Sequence, residues 1–361
     1  MRVSTVMHVG CFLALAGLGA CADQPATEPA DVGAPAFARK AADGSAGADV
    51  VRIGHPMLTR INRRLAARGS DLRVAKAELL YRAKGADPQS PTAIFTNDRT
   101  HVTAYQWVPG DPRRDGRIGV TYAVDPHLQT TLTGLNFPVP VIETDAGFRL
   151  SSQSELDGYI EEAMQAWRDR SCADAPIERV AVPAGTDPDE LDDFFLGRTS
   201  PSATYAQPAD IVQAGWQPAE FFEAITPGGA DAILGITFTF VFAEDQNTPD
   251  PSDDVDTDIN HDGKLDTALA EIYYNPTFYW TNRGAPIGID FYSVLTHETG
   301  HSLGLAHFGK LFITKKDGAD GFDIDEIHYA PLALMNAAYV TGRNEIRGSD
   351  NGSFCQIWAR K

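Results

Sequence analysis

The stretch HETGHSLGLAHF, residues 297–308, decides how the rest of the chain is read. His297 and His301 are four residues apart, so a helix places both imidazoles on one face, one turn apart. A tetrahedral zinc ion takes imidazole nitrogens at about 2.0–2.1 Å, and this spacing lets both rings reach one ion. Glu298 follows the first histidine but is rotated around the helix. It is not expected to ligate. It stands where it can take a proton from a zinc-bound water and pass it to a leaving nitrogen. His307 lies three residues beyond Gly304 and reaches the same ion only if the chain leaves the helix and turns back. Glycine tolerates the positive φ of such a reversal. Three neutral histidines leave a fourth position open, the pattern of a catalytic rather than a closed structural zinc.

The segments around this motif alternate strand and helix signals. RIGVTYAVD reads as a strand. SQSELDGYIEEAMQAWRDRS follows as an amphipathic helix, with Leu156, Ile160, Ala163, Met164 and Trp167 on one face and Ser154 as its expected N-cap. AILGITFTFVFAE and LAEIYYNPTFYW are β-branched and aromatic, as buried strands are, and ADIVQAGW reads as a short strand within the irregular stretch 173–230. DFYSVLTHETGHSLGL is the motif helix, and a last helix is expected from about Ser349, carrying Cys355. Strands followed by helices make the chain α+β.

HETGHSLGLAH resembles the H-E-x-x-H-x-x-G-x-x-H signature of the metzincin metalloproteases, and GHSLGLAH is most similar to the matrixins. The resemblance covers residues 117–361. It implies a metzincin-like catalytic domain with a twisted mixed sheet, active-site helix, Met-turn and C-terminal helix. ALMNAAY supplies Met335 for the Met-turn, and Tyr339 at the spacing of a residue that walls the S1′ pocket. Ala337 stands where the family has proline. By the same resemblance LAEIYYN, with Ile272, Tyr273 and Tyr274, is the edge strand that pairs with substrate main chain. KLFITKKDGADGFDIDEIHYAP lengthens the path from His307 to Met335 and is expected to form a rim over the cleft. SDNGSFCQIW resembles the last helix of the family. Cys172 follows the first helix, so Cys172 and Cys355 are expected to form one disulfide stapling the two helices, the alternative being two buried thiols.

A second metal is expected in DTDINHDGKLDTALAE. Asp258, Asn260, Asp262 and Asp266, with the carbonyl of Lys264 and the turn at Gly263, match positions of an EF-hand-type calcium loop. Leu269 stands where the bidentate glutamate belongs, and Glu271 is out of register. His55, His101, His127, His261 and His328 are expected to be structural or solvated.

At the N-terminus, an apolar run from about Val9 to Ala20 is too short to span a bilayer and reads as a signal peptide. It ends LGAC, which resembles a bacterial lipobox. Residues 1–21 are therefore expected to direct export, with Cys21 lipidated and the protein held at a membrane surface. Ordinary cleavage after Ala22, with full secretion, is the alternative. Residues 22–50, rich in Ala, Asp, Gly and Pro, read as a flexible linker. Residues 51–112 hold a helix with Met57, Leu58, Ile61 and Leu65 on one face, then two strands, LRVAKAELLYR and THVTAYQWV. They are expected to be a small N-terminal α/β appendage or a prosegment. No cysteine lies between 22 and 171 to act as a metal-blocking thiol. The net charge of −19 excludes nucleic acid held through phosphate neutralisation.

These features together point to an exported zinc endopeptidase acting on protein or peptide substrates. Two other classes stay open on the sequence: an inactive binding module on a metzincin fold, and a calcium-dependent surface adhesion protein.

Overall fold

The computed structural model describes residues 50–82, 105–106, 120–125, 141–144, 147–150, 153–172, 176–197, 204–205, 208–255, 265–278, 280–281, 289–317, 323–330, 332–339 and 345–358. The signal segment with Cys21, the linker up to residue 49, and Asp258, Asn260, Asp262 and Lys264 lie outside them. Asp266 falls in a two-residue strand, Leu265–Asp266, paired in parallel with Tyr105–Gln106. That short pair is what the described residues retain of the strand expected over THVTAYQWV.

Eight strands form one mixed sheet. They are β1 (Val50–Arg52), β2 (Leu72–Arg82), β3 (Val120–Val124), β4 (Ile177–Arg179), β5 (Ile211–Trp216), β6 (Ile233–Phe242), β7 (Leu269–Tyr274) and β8 (Ala338–Tyr339). The order is β1-β2-β6-β7-β5-β3-β4, with β8 also paired to β2. β3, β4, β5 and β7 run parallel, whereas β6 is antiparallel to β7 and to β2. Every residue of β6 is buried. Its alternating aromatic and β-branched side chains serve both faces of the sheet, the pattern of a strand with cover on each side.

Helices cover both faces. On one, α2 (Gln153–Arg168), α5 (Phe291–Ser302) and α6 (Gly348–Ile357) pack through Leu156, Ile160, Met164, Trp167, Val294, Leu295 and Phe354 onto Tyr122, Ile272 and Tyr274. On the other, α1 (Pro56–Ala67), α3 (Leu191–Leu196) and α4 (Ala219–Ile225) meet the sheet. There Leu58, Ile61, Phe221 and Phe222 join Ile236, Phe238 and Phe240. His55 caps α1, its Nδ1 accepting from the Met57 N–H at 3.2 Å, with Pro56 in the first turn where its missing N–H has no partner to lose. A disulfide joins Cys172, just past α2, to Cys355 in α6, with Cα atoms 5.5 Å apart. The mixed sheet, active-site helix and C-terminal helix are those the resemblance implies.

Three expectations need correction. First, β7 is not an edge strand. It lies between β6 and β5, and Ile272, Tyr273 and Tyr274 are buried between the layers. Second, the described part of residues 51–112, expected as a small N-terminal appendage or a prosegment, does not stand apart from the sheet. β1 and β2 extend the same sheet, and α1 shares its core. Third, α2 begins at Gln153, so Ser154 lies inside the helix and not at its cap. The insertion after His307 is an antiparallel hairpin, Lys310–Asp317 with Asp323–Ala330.

Candidate metal centre

α5 is anchored at its start by Asp290, whose Oδ1 accepts from the Tyr292 N–H at 3.0 Å and whose Oδ2 accepts from Ser293 Oγ at 2.8 Å. At its end Gly304 takes φ +95°. The Gly304 N–H then donates to the His301 carbonyl at 2.9 Å, and the Leu305 N–H to the Gly300 carbonyl at 3.0 Å. This paired closure is how a helix terminates on a left-handed glycine. It turns the chain back and delivers His307.

The Nε2 atoms of the three histidines converge. They lie 2.9 Å apart for His297 and His301, 3.0 Å for His301 and His307, and 3.2 Å for His297 and His307. The outer nitrogens are engaged: His297 Nδ1 is 2.7 Å from the Leu334 carbonyl, and His301 Nδ1 is 2.8 Å from the Leu305 carbonyl. Carbonyls only accept, so the protons of these two rings sit on Nδ1 and their Nε2 lone pairs face one another. Buried lone pairs at that separation repel unless a cation lies among them. A tetrahedral zinc site, with bonds of about 2.0–2.1 Å, needs only slightly wider spacing. The cluster fits a zinc site. Burial, then the neighbouring His301 and His307, push His297 well below the ordinary imidazole range, and burial also lowers His301. A lowered value favours the neutral ring, the form in which imidazole binds a metal.

The floor beneath is built from distant segments. Met335 packs on Gly300, where a Cβ would come 2.5 Å from Met335 Sδ and 3.0 Å from Trp167 Cζ2. Buried Asp350 in α6 accepts from the N–H groups of Leu334 at 2.9 Å and Met335 at 3.0 Å. The Met335 carbonyl accepts from the Phe308 N–H at 2.7 Å, tying this turn to the residue after His307. Tyr339 follows on β8. Its hydroxyl accepts from the Asp290 N–H at 2.8 Å, and it lines a small pocket with Ser293, His297 and Leu334.

Glu298 is fully buried and projects toward β6. Its Oε2 accepts from Thr237 Oγ1 at 2.6 Å, and its Oε1 has no hydrogen-bond partner. Gly235 makes room for it, because a Cβ there would meet Glu298 Oε1 at 2.8 Å. Burial pushes this carboxyl well above its ordinary range, against the lowering effect of Thr237.

A second carboxylate reaches the cluster from β2. Glu78 Oε2 lies 3.2 Å from His301 Nδ1 and accepts from Lys76 Nζ at 2.7 Å, all three side chains being fully buried. Burial acts to raise Glu78, but His301 and Lys76 together outweigh it and hold the carboxyl well below the usual range. Sequence reasoning missed Glu78, Lys76, Asp350, Gly235 and Thr237. The one available signal for the first two was a pair of charges two apart within an apolar strand. By itself that pattern reads as a solvated face.

Of the expected substrate-binding residues, Ile272, Tyr273 and Tyr274 do not reach the cleft. The Tyr274 hydroxyl donates to Gln213 Oε1 at 2.7 Å. The Tyr273 hydroxyl lies 2.8 Å from Glu271 Oε2, within a buried carboxylate group that includes Asp189. Glu271 also accepts from the Glu190 N–H at 2.9 Å, so it belongs to this group and not to the calcium-type loop.

The matrixin family model matches residues 214–311, from the end of β5 through β6, β7 and α5 to just past His307. That stretch contains the three histidines and Glu298. The family is one of zinc metalloproteases. No individual curated protein matches the chain.

Proposed function

We propose that this chain, which carries a matrixin-like metalloprotease domain, is an exported endopeptidase that hydrolyses peptide bonds with Glu298 as its general base. The observation that carries the reading is three convergent Nε2 atoms with a carboxylate on the adjoining position of the same helix. Zinc, when bound by His297, His301 and His307, supplies Lewis-acid polarisation of the scissile carbonyl and makes water acidic enough to attack near neutral pH. Glu298 takes the proton of the attacking water and hands it to the leaving nitrogen. Thr237 and Gly235 hold that carboxylate in place. Its raised affinity for protons suits the second half of this shuttle. Protein substrates in the cell envelope or outside the cell, a lipid anchor at Cys21 and a calcium ion in the 258–266 loop belong to the same proposal. The disulfide between Cys172 and Cys355 supports export, since such bonds persist in oxidising compartments.

The test is metal analysis paired with cleavage of a quenched fluorescent peptide library, with and without chelator. Wild type and Glu298→Gln should hold equal zinc, and cleavage should fall about 10²–10⁴-fold in the variant. Undiminished cleavage by Glu298→Gln, or by chelated wild type, overturns the proposal.

A further inference from the structure

His297 and His301 sit on one helix, yet their outer nitrogens meet different chemistry. His297 Nδ1 faces the Leu334 carbonyl at 2.7 Å. His301 Nδ1 lies between two acceptors, the Leu305 carbonyl at 2.8 Å and Glu78 Oε2 at 3.2 Å. The carboxylate comes from far upstream, on β2, and the pairing of β2 with β6 sets its position. Glu78 is opposite Thr237, and Thr237 Oγ1 donates to Glu298 Oε2 at 2.6 Å. One rung of the sheet therefore addresses both the residue proposed as general base and one of the three imidazoles.

An ion pair alone does not account for Glu78. Lys76 Nζ donates to the same Oε2 at 2.7 Å, from two positions back on the same face of β2, and both side chains are fully buried. A buried pair of this kind repays little more than the cost of stripping water from two charges, and apolar residues of similar size would hold the strand as well. What apolar residues would not supply is an anionic acceptor for an imidazole N–H. A carboxylate at that point keeps the ring's proton on Nδ1 and its lone pair on Nε2. It also fixes the ring's orientation and makes the ring a stronger donor to a cation.

We infer that Glu78 is a positioning residue of the metal centre: through Nδ1 it holds His301 as a metal-side donor, with Lys76 orienting the carboxylate. The inference rests on the reading of the three histidines as a zinc site, and it names a residue outside the motif on which that site depends. On this account β2 is a working part of the metal centre, and strand pairing is what delivers its contribution.

The experiment measures the zinc affinity of the full-length protein by competition with a chromophoric chelator. Urea unfolding in excess chelator and the ring-proton NMR spectrum of zinc-loaded protein with labelled histidines are recorded beside it. Glu78→Gln should weaken zinc binding about 10–100-fold. Its His301 Nδ1–H resonance should move upfield, while that of His297, which faces a carbonyl, stays in place. Lys76→Met combined with Glu78→Leu separates positioning from folding. This apolar pair should unfold in urea close to wild type and still bind zinc about 10–100-fold more weakly. Wild-type zinc affinity in either variant overturns the inference, as does a His301 resonance that does not move. Wild type that takes up no zinc overturns the protease reading itself, so the two failures are told apart.

Discussion

Two buried carboxylates approach the same three histidines by different routes. Glu298 comes from within the motif, one residue from a ligand, on a helix whose local hydrogen bonds fix its direction. Glu78 comes from far upstream, carried in by a strand that pairs with β6. The first is placed by local geometry and is visible to anyone who reads α5 as a helix. The second is placed by sheet order alone. The local group is the one proposed to supply the chemistry, and the distant one contacts the outer nitrogen of His301.

That contrast can be broken most sharply by turnover. Glu298→Gln should lower peptide cleavage about 10²–10⁴-fold with zinc retained. Glu78→Gln should lower it far less, because Glu78 contacts only the outer nitrogen of His301. If both variants lower turnover alike in the fluorogenic assay, the two carboxylates share one role and the contrast is wrong.

The next effect is on stability. Glu78→Ala leaves Lys76 charged or desolvated without its partner, and breaking a buried pair in this way costs about 3–5 kcal/mol. Replacing both, Lys76→Met with Glu78→Leu, should recover most of that loss in urea unfolding. Failure of the double variant to recover would mean that the contact to His301, not the ion pair, holds β2.

Smaller still is the effect at the floor of the motif. Gly300→Ala pushes a methyl into Met335 and Trp167, an overpacking expected to cost about 1–3 kcal/mol. Thermal unfolding should register it, with zinc affinity falling as His301 shifts. An unchanged melting temperature would show that Met335 yields freely and is no support.

The smallest prediction concerns a carboxylate away from both routes. Burial, and then the charges of Asp192 and Glu271, hold Asp189 well above its ordinary range. A raised folded-state value means the fold keeps a proton that the unfolded chain releases above about pH 4, so stability is lost as pH rises beyond that point. Asp189→Asn should therefore raise the melting temperature at pH 7 in chelator, with the gain shrinking toward pH 4. A gain that does not change with pH would rule out titration as its source.

Legibility followed sequence distance. The three converging histidines, the glycine turn and the role proposed for Glu298 were readable because they lie within one helix and one turn, where spacing fixes geometry. α1 and most strands were readable because hydrophobic periodicity reports which face is covered. Met335 was readable through its motif, but Asp350, which holds that turn, was not. Its neighbours in the chain give no hint that its carboxylate reaches two backbone N–H groups of another segment. The edge strand was misplaced for a related reason. Both β6 and β7 are apolar runs, and composition does not say which one lies inside the other.

Residue order alone thus determined the helix, its glycine-ended turn, the convergence of three imidazoles and the identity of most secondary structure, because short-range backbone geometry leaves those little choice. Tertiary structure decided the order of strands in the sheet, and with it that residues 72–82 lie between β6 and β8. Strand pairing uses main-chain groups that every residue carries. Which edge a strand takes is settled only when the whole sheet and both of its cores are assembled.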